Sequence, residues 1–375
     1  MGALTLDRGA ATVACVPLDD ALTKLSPEWE GLRERSGASP FAGWAWHRAW
    51  SSSAPEAERR ACHTVVLRGG GGVEAILPLA SRSVAFRRQR ATALTWAIGD
   101  LGCPDHLDVL ALPEADLDAV IPALRALPWD ILILGNLAAS APNATRLARA
   151  LARGGCAVRW GGLWPCPYLD LPASWEEYVA TLSANRRQVL RRRERVLERE
   201  HRVQVTDYDG ERLDEGWGHL VALHGQRWAA GGVFNDARLE RLHHSFAHEL
   251  ARRGQLWLTT LDLDGTPAAA WYGFADRETV YFYQSGRDPR WEDKSVGVAL
   301  MVNMIRRAIE RGYKRFDFLR GDEAYKRQWT DAERVTQELV AFRPSWRGQW
   351  LRSIDLAARL RARLRAPARR SARHT

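Results

Sequence analysis

Lys294-Ser-Val-Gly297-Val-Ala299 opens the part of this chain densest in residues that could do chemistry: a cation precedes a glycine, and an amphipathic stretch begins there. A helix starting at that point turns free N–H groups and its positive dipole end toward an anion, and glycine lets a phosphate approach the backbone. Some twenty residues on, Asp322, Glu323, Tyr325, Lys326 and Trp329 form a dense polar and aromatic cluster. Of 54 basic residues only four are lysines (Lys24, Lys294, Lys314, Lys326), and three of these fall in this segment. Lysine is a compact charge that can lose its proton when desolvated, so its retention against an arginine bias marks Lys294 and Lys326 as candidates.

The elements that must hold these groups can be read from spacing. Val298, Met301, Val302, Ile305 and Ile309 recur at helical period, Ser295 is a candidate N-cap, and Gly312 ends the helix. Phe316–Leu319 reads as a buried strand, so the 322–329 cluster emerges from a strand end, where α/β sites are built. Upstream lies a three-strand meander at 256–261, 268–274 and 280–284 with an Asp264-Gly265 turn. Helices are expected at 175–199, 215–228 and 238–253. Earlier still are a hairpin at 64–67 and 73–79, a buried strand at 131–134 and a helix at 145–153, with a Gly- and Pro-rich boundary at 161–172.

Three segments carry a family resemblance: Tyr281-Phe-Tyr-Gln-Ser-Gly-Arg-Asp-Pro289, Ser295-Val-Gly297, and Phe316-Asp-Phe-Leu-Arg-Gly-Asp-Glu-Ala-Tyr-Lys-Arg-Gln-Trp329. With Phe41–Trp46, Ala75–Leu79, Trp129–Ile133, Pro167–Pro172 and Ser183–Arg191, they resemble the CelD-type acetyltransferase-like proteins. These are a branch of the GNAT superfamily related to the FemAB peptidoglycan aminoacyltransferases. The resemblance runs to about Pro344. It implies an α/β chain with a tandem, duplicated GNAT acyl-CoA N-acyltransferase fold: an N-terminal GNAT-like lobe at 1–165, a C-terminal lobe with the donor site at 166–345, and an Arg-rich tail at 346–375. It also implies that the strands at 280–284 and 316–319 run parallel and splay apart to admit the donor's pantetheine arm. Lys294, Ser295, Gly297 and the amides of Val298 and Ala299 would hold the pyrophosphate, with Lys294 where the superfamily usually has arginine or glutamine. Tyr325 would protonate the departing thiolate, and its ordinary pKa near 10 suits an acid at neutral pH. Asp322 and Glu323 are candidate bases for the acceptor amine, Asp322 also as a helix cap, and Lys326 joins the catalytic group. A carboxylate beside Lys326 or Arg320 has its pKa lowered and holds an ammonium better than it takes a proton. Arg227, Trp228, Asp317, Arg320, Glu323 and Trp329 would face the acceptor.

Composition fits two globular lobes and excludes other classes. At 375 residues with 46% apolar content, two cored domains are the default. No apolar run is long enough to span a bilayer, and the first residues lack a signal-peptide core, so the expected location is cytoplasmic. Five scattered cysteines lack CxxC spacing, which argues against a disulfide frame or a zinc site. His244 and His248 stand one turn apart, but no third ligand follows at a usual spacing, so no metal is expected. Asp105, His106 and Asp108 form the other dense polar cluster. The first lobe has no second glycine loop and is expected to shape the acceptor cleft. Residues 343–375 carry ten arginines and one acid, a net +9 that equals the whole-chain figure. Trp346, Trp350, Ile354 and Ala358 could form an apolar helix edge beside them, a pattern suited to an anionic membrane surface and equally to a helix docked on the last strand. A second basic run, Arg186–Arg202, holds eight arginines and reads as a solvated helix face, its functional rival being a rail for tRNA or an anionic glycan donor.

The expected activity is therefore acyl transfer from acyl-CoA, acetyl-CoA first, to an amine or hydroxyl of a small-molecule or glycan acceptor linked to the cell envelope or exopolysaccharide. Aminoacyl-tRNA is the secondary donor. The competing class is a catalytically idle protein that binds polysaccharide machinery.

Overall fold

Strand pairing in the second half of the chain follows directly from its turn chemistry. Asp264 and Gly265 both take positive φ (52° and 84°), the geometry that joins two strands in a tight hairpin, and flanking apolar residues supply the buried faces. The computed structural model describes residues 6–8, 11–228 and 231–365, with the side chains of 6–8, 189–196 and 365 excepted. The arginines of the tail beyond Arg365, and Val189, Val196 and the arginines at 191–195 as side chains, lie outside the described residues.

In chain order the elements are β1 (Leu6–Arg8), β2 (Ala11–Pro17), α1 (Leu18–Lys24), α2 (Ser26–Ser36), α3 (Trp44–Ser53), α4 (Glu56–Arg60), β3 (Cys62–Gly69), β4 (Gly72–Phe86), β5 (Gln89–Trp96), β6 (Leu110–Ala111), α5 (Ile121–Ala126), β7 (Ile131–Ala138), α6 (Pro142–Arg153) and β8 (Ala157–Asp170). They continue as α7 (Trp175–Thr181), α8 (Ala184–Glu200), β9 (Val203–Asp207), α9 (Leu213–Trp228), α10 (Ala237–Arg252), β10 (Leu256–Leu263), β11 (Thr266–Asp276), β12 (Thr279–Arg287), α11 (Val296–Glu310), β13 (Arg315–Asp317), β14 (Glu333–Phe342) and α12 (Trp346–Arg365). Two compact units result: residues 1–47, 55–163 and 336–375, and residues 48–54 and 164–335.

Within the first unit the strand order is β1-β2-β3-β4-β5-β7-β14-β8, with β6 on β4; within the second it is β8-β13-β12-β11-β10-β9. Both units repeat one pattern. A strand pairs antiparallel with the first member of a three-strand meander, helices intervene in the chain before that meander (α1–α4 in the first unit, α9 and α10 in the second), and a crossover helix then leads to a strand parallel to the meander's last member. In the first unit β7 runs parallel to β5, and in the second β13 runs parallel to β12. The expected duplicated fold with mixed sheets flanked by helices is what the chain forms.

Three local expectations change. The helix read at 175–199 is two helices, because Leu182 leaves helical geometry and Ser183 caps a new start by accepting from Arg186 N–H. The Gly- and Pro-rich stretch at 161–172 lies mostly in strand β8, and the unit boundary falls inside it at 163/164. Residues from Thr336 on cluster with the first unit and not with the lobe read at 166–345, nor as a separate tail. The reason is pairing and burial: Val340 opposes Ile133 on β7, and Leu351 of α12 packs with Ala93, Ile131 and Phe342.

The crossover helices of the two units differ in length. α11 has 15 residues and α5 only six, so only the second unit presents a full helix start to a ligand. Asp105 is buried, and Asp108 accepts backbone N–H bonds from Asn143 (3.1 Å) and Ala144 (2.6 Å), capping α6. Burial nevertheless pushes the Asp108 pKa up to about 6, so this cluster's evident work is local folding.

Candidate functional site

Three backbone features of the second unit open a cleft. The β11/β12 pairing slips between Tyr272 and Gly273, where Gly273 opposes Phe282 and Tyr272 opposes Gln284, so Tyr283 is an extra residue that bends β12. Strands β12 and β13 pair only through Thr279–Arg315, Val280–Phe316 and Tyr281–Asp317. Beyond them the chain turns away: Phe318 N–H bonds to Pro167 O, Leu319 takes φ 58°, and Gly321, at φ 130°, bonds to Pro165 O. Glycine is required at 286 as well, since a Cβ there would overlap the backbone of Leu223 and His224 on α9.

The cleft so formed is open to solvent, and with the solvent at its mouth it spans about 540 Å³. Gly297, Val298, Leu300 and Met301 of α11 form one wall, Phe282, Ser285, Gly286 and Arg287 of β12 another, and Arg227, Tyr325, Gln328 and Trp329 complete the lining. At the helix start, Val298 and Ala299 N–H bond to Ser295 O (2.9 and 3.1 Å), so those two amides are engaged in the helix. The amides without a partner are those of Val296 and Gly297, two positions earlier than the Val298 and Ala299 amides that the family pattern implied. Ser295 is left-handed (φ 55°) and makes no side-chain cap bond.

The cations are redistributed too. Lys294 Nζ lies 2.5 Å from Glu200 Oε2 at the end of α8, which raises its pKa, and it does not line the cleft. Arg287 and Arg227 do. Arg287 pairs with Glu292 at 2.8 Å. Arg227 donates to Ser285 Oγ at 2.7 Å and lies 4.7 Å from the Trp228 ring centroid and 5.6 Å from that of Tyr325. Among the described residues no carboxylate ion-pairs with Arg227. Burial, then the charge of Arg287, lowers its pKa, so the cleft concentrates positive charge that an anion would relieve. His224 helps fix this wall, its Nδ1 3.1 Å from Ser285 O.

Tyr325 lines the same cleft with its ring edge-on to Phe282 (6.3 Å) and its hydroxyl without a hydrogen-bond partner among the described residues. Burial, reinforced by the charge of Glu323 and opposed by Arg227, pushes its pKa above the usual value, so it remains a donor through the neutral range.

Other expected site residues have structural employment. Lys326, 3% exposed, donates to Leu319 O (3.3 Å) and Arg320 O (2.9 Å) and pairs with Glu323 at 2.8 Å, so it binds the turn together and cannot reach a reacting atom in the cleft. Asp317 is fully buried, paired with Arg334 and accepting from Leu319 N–H, which removes it from acceptor binding. Asp322 is exposed and held by Arg327 at 2.7 Å, away from the cleft lining. Arg320 and Trp228 also stand outside the lining, Trp228 as an exposed platform for Arg227. Of the sequence candidates, Arg227, Gly297, Val298, Tyr325 and Trp329 meet in one cleft. Ser285, Gly286, Arg287 and Gln328 join them without having been singled out. An arginine following a glycine at the end of a meander strand was the available signal for Arg287.

A central meander, a bulged last strand, a crossover helix with free amides at its start and a splayed parallel strand together define the GNAT fold. Residues 184–327 match the model of the acetyltransferase (GNAT) domain, so the second unit carries a GNAT-type acyltransferase domain. No curated protein matches the chain by sequence. Among solved structures, FemX aligns with a TM-score of 0.54 and 11% identity over 84% of this chain and 95% of that one. L-PGS from Bacillus licheniformis aligns at 0.52 and 12% over 90% and 96%, and the C-terminal domain of a putative lysylphosphatidylglycerol synthetase from Agrobacterium fabrum at 0.52 and 12% over 90% and 97%. At these identities the likeness is one of fold.

Proposed function

We propose that the second unit transfers an acyl group from acyl-CoA, acetyl-CoA in the first instance, to an amine or hydroxyl of a small-molecule or glycan acceptor, and that the acceptor belongs to cell-envelope or exopolysaccharide synthesis as the CelD-type resemblance implies. The observation that carries this reading is the convergence, in one cleft, of the helix start at Gly297 with its free amide, two arginines and the unpartnered Tyr325 hydroxyl. The amides and Arg287 suit the donor's phosphates. The thioester carbon would then lie near Tyr325. The acceptor nitrogen attacks that carbon, the C–N bond forms as the C–S bond breaks, and the thiolate leaves against the tyrosine O–H. The attacking group sheds its proton to water, since Glu323, a candidate base by sequence, is paired with Lys326 and stands outside the cleft lining. Thermal shift with acetyl-CoA, longer acyl-CoAs, CoA and tRNA tests the donor. A rise with acyl-CoA and CoA supports the reading; a response to tRNA alone replaces it with aminoacyl transfer, and silence toward every donor with the idle binding protein.

The peripheral-membrane reading rests on α12. No described helix is long and apolar enough to cross a membrane. On α12, Leu351 and Asp355 face inward, Asp355 fixed by Arg87 (2.9 Å), Arg159 (2.7 Å) and Arg359 (3.0 Å). Trp346, Trp350, Leu360 and Leu364 form an outward stripe, 79% exposed at Trp346 and 86% at Leu364. That stripe replaces the edge expected through Ile354 and Ala358, which lie half-buried. Arg352, Arg361 and Arg363 flank it, and each basic side chain near an anionic surface contributes about 1 kcal/mol. Full-length protein is expected to sediment with phosphatidylglycerol vesicles at low salt and to be released as salt shortens the Debye length. Trp346→Ser/Leu360→Ser/Leu364→Ser should remain in the supernatant while melting normally. Failure of the wild type to sediment removes the membrane reading.

A further inference from the structure

On α10 the two imidazoles His244 and His248, four residues apart, share one helix face, as i and i+4 residues do. Sequence spacing offers them no third ligand, but the fold does: the first turn of α9 brings Asp214, thirty residues upstream of His244, against both. Asp214 Oδ1 lies 2.8 Å from His244 Nε2 and 3.1 Å from His248 Nε2. One potential donor atom from each residue falls within 4.8 Å of the other two, and this is the only such group of three among the described residues. We propose that Asp214, His244 and His248 form a binding site for a divalent transition-metal ion, zinc by its donor set, on the α9–α10 face of the second unit.

Two neutral imidazole nitrogens and one carboxylate oxygen are a set that zinc accepts in tetrahedral geometry, with water as fourth ligand. Zn–N and Zn–O bonds of about 2.0–2.2 Å place tetrahedral ligand atoms about 3.3 Å apart. The two histidine–aspartate separations are a few tenths shorter than that, as expected when protons and not a metal bridge the groups, so small side-chain rotations suffice. The rings are also positioned: His244 and His248 stand 4.7 Å apart and nearly perpendicular, and His244 packs at 5.3 Å on Trp217, one turn after Asp214. Trp217 is in turn fixed by its indole N–H, 2.7 Å from Glu240 Oε1. A bound ion would tie the start of α9 to the end of α10. Both helices enclose the Trp217, Leu220, Phe234 and Tyr272 core, and α9 carries Arg227 in its last turn. The site stands apart from the cleft, and its proposal does not depend on the acyl-transfer reading.

Untagged protein, stripped with EDTA and titrated with zinc in a calorimeter, should bind one equivalent, and its melting temperature should rise with the ion because the ligand set is assembled only in the folded state. Cobalt should develop the visible absorption of a four- or five-coordinate centre. His244→Ala, His248→Ala and Asp214→Ala alter one exposed and two partly exposed side chains outside the buried core, so each should fold, lose at least tenfold in zinc affinity and lose the cobalt spectrum, while His219→Ala retains both. Stoichiometric binding that survives the triple substitution, or no stoichiometric binding by wild-type protein, overturns the proposal.

Discussion

Gly297→Glu is expected to abolish the rise in melting temperature that acetyl-CoA produces in the wild type, without unfolding the apoprotein. Space exists for the side chain: an added Cβ at Gly297 meets only Arg287 Cδ, at 3.8 Å. The position lies in the first turn of α11, where a carboxylate interacts favourably with the helix dipole, and Arg287 borders the same wall. Both effects hold the apoprotein stable. They also place a negative charge where the donor's phosphates would receive the Val296 and Gly297 amides, so the anion site is filled from within and a second anion is repelled. Stabilisation by a ligand that binds only the folded state is about 2.7 kcal/mol at a hundred times Kd, and all of it should vanish. Gly297→Ala, which adds bulk without charge, should keep most of the shift. A full acetyl-CoA shift in Gly297→Glu would remove the helix start from donor binding.

Elements governed by neighbours in sequence were legible: the meander with its Asp264-Gly265 turn, the helix α10, and the parallel return of Phe316 to Val280. The break before α8 carried its own signal in Ser183. What escaped depends on partners remote in sequence. Lys294 was read as the anion-binding cation because nothing local reveals Glu200, 94 residues away, as its partner. Lys326 drew attention as a rare lysine, and its rarity does mark importance. The importance is structural, since its ammonium satisfies the carbonyls of Leu319 and Arg320 where the chain peels from β12. Its catalytic assignment fails for that reason. The return of β14 and α12 to the first unit was illegible for a related cause: strand Glu333–Phe342 pairs with β7, some two hundred residues earlier, and no periodicity encodes which sheet a strand joins. Asp214 illustrates the converse, a ligand that spacing rules out and helix packing supplies.

Tyr325→Phe should lower kcat by roughly 10² to 10⁴ while barely changing the affinity for CoA. The ring supplies the packing on Phe282 and the face beneath Arg227, and phenylalanine keeps both; only the hydroxyl is lost. That hydroxyl has a raised pKa, whereas a thiol's lies near 8.5, so complete proton transfer to the leaving sulfur is uphill and the tyrosine acts by donating a hydrogen bond as negative charge develops. The sign of the shift fixes the pH profile. A folded pKa above the ordinary value of about 10 keeps the donor form intact through neutral and mildly alkaline pH, so kcat should show no loss from tyrosine ionisation below about pH 10. The same reasoning separates a chemical role from a structural one. A thioester with a more acidic thiol leaves without assistance, so an aryl thioester should recover most of the rate lost by Tyr325→Phe, whereas a mispositioned active site would stay slow with either donor. Wild-type turnover in Tyr325→Phe, or a rate loss that the better leaving group does not repair, would take Tyr325 out of the chemistry.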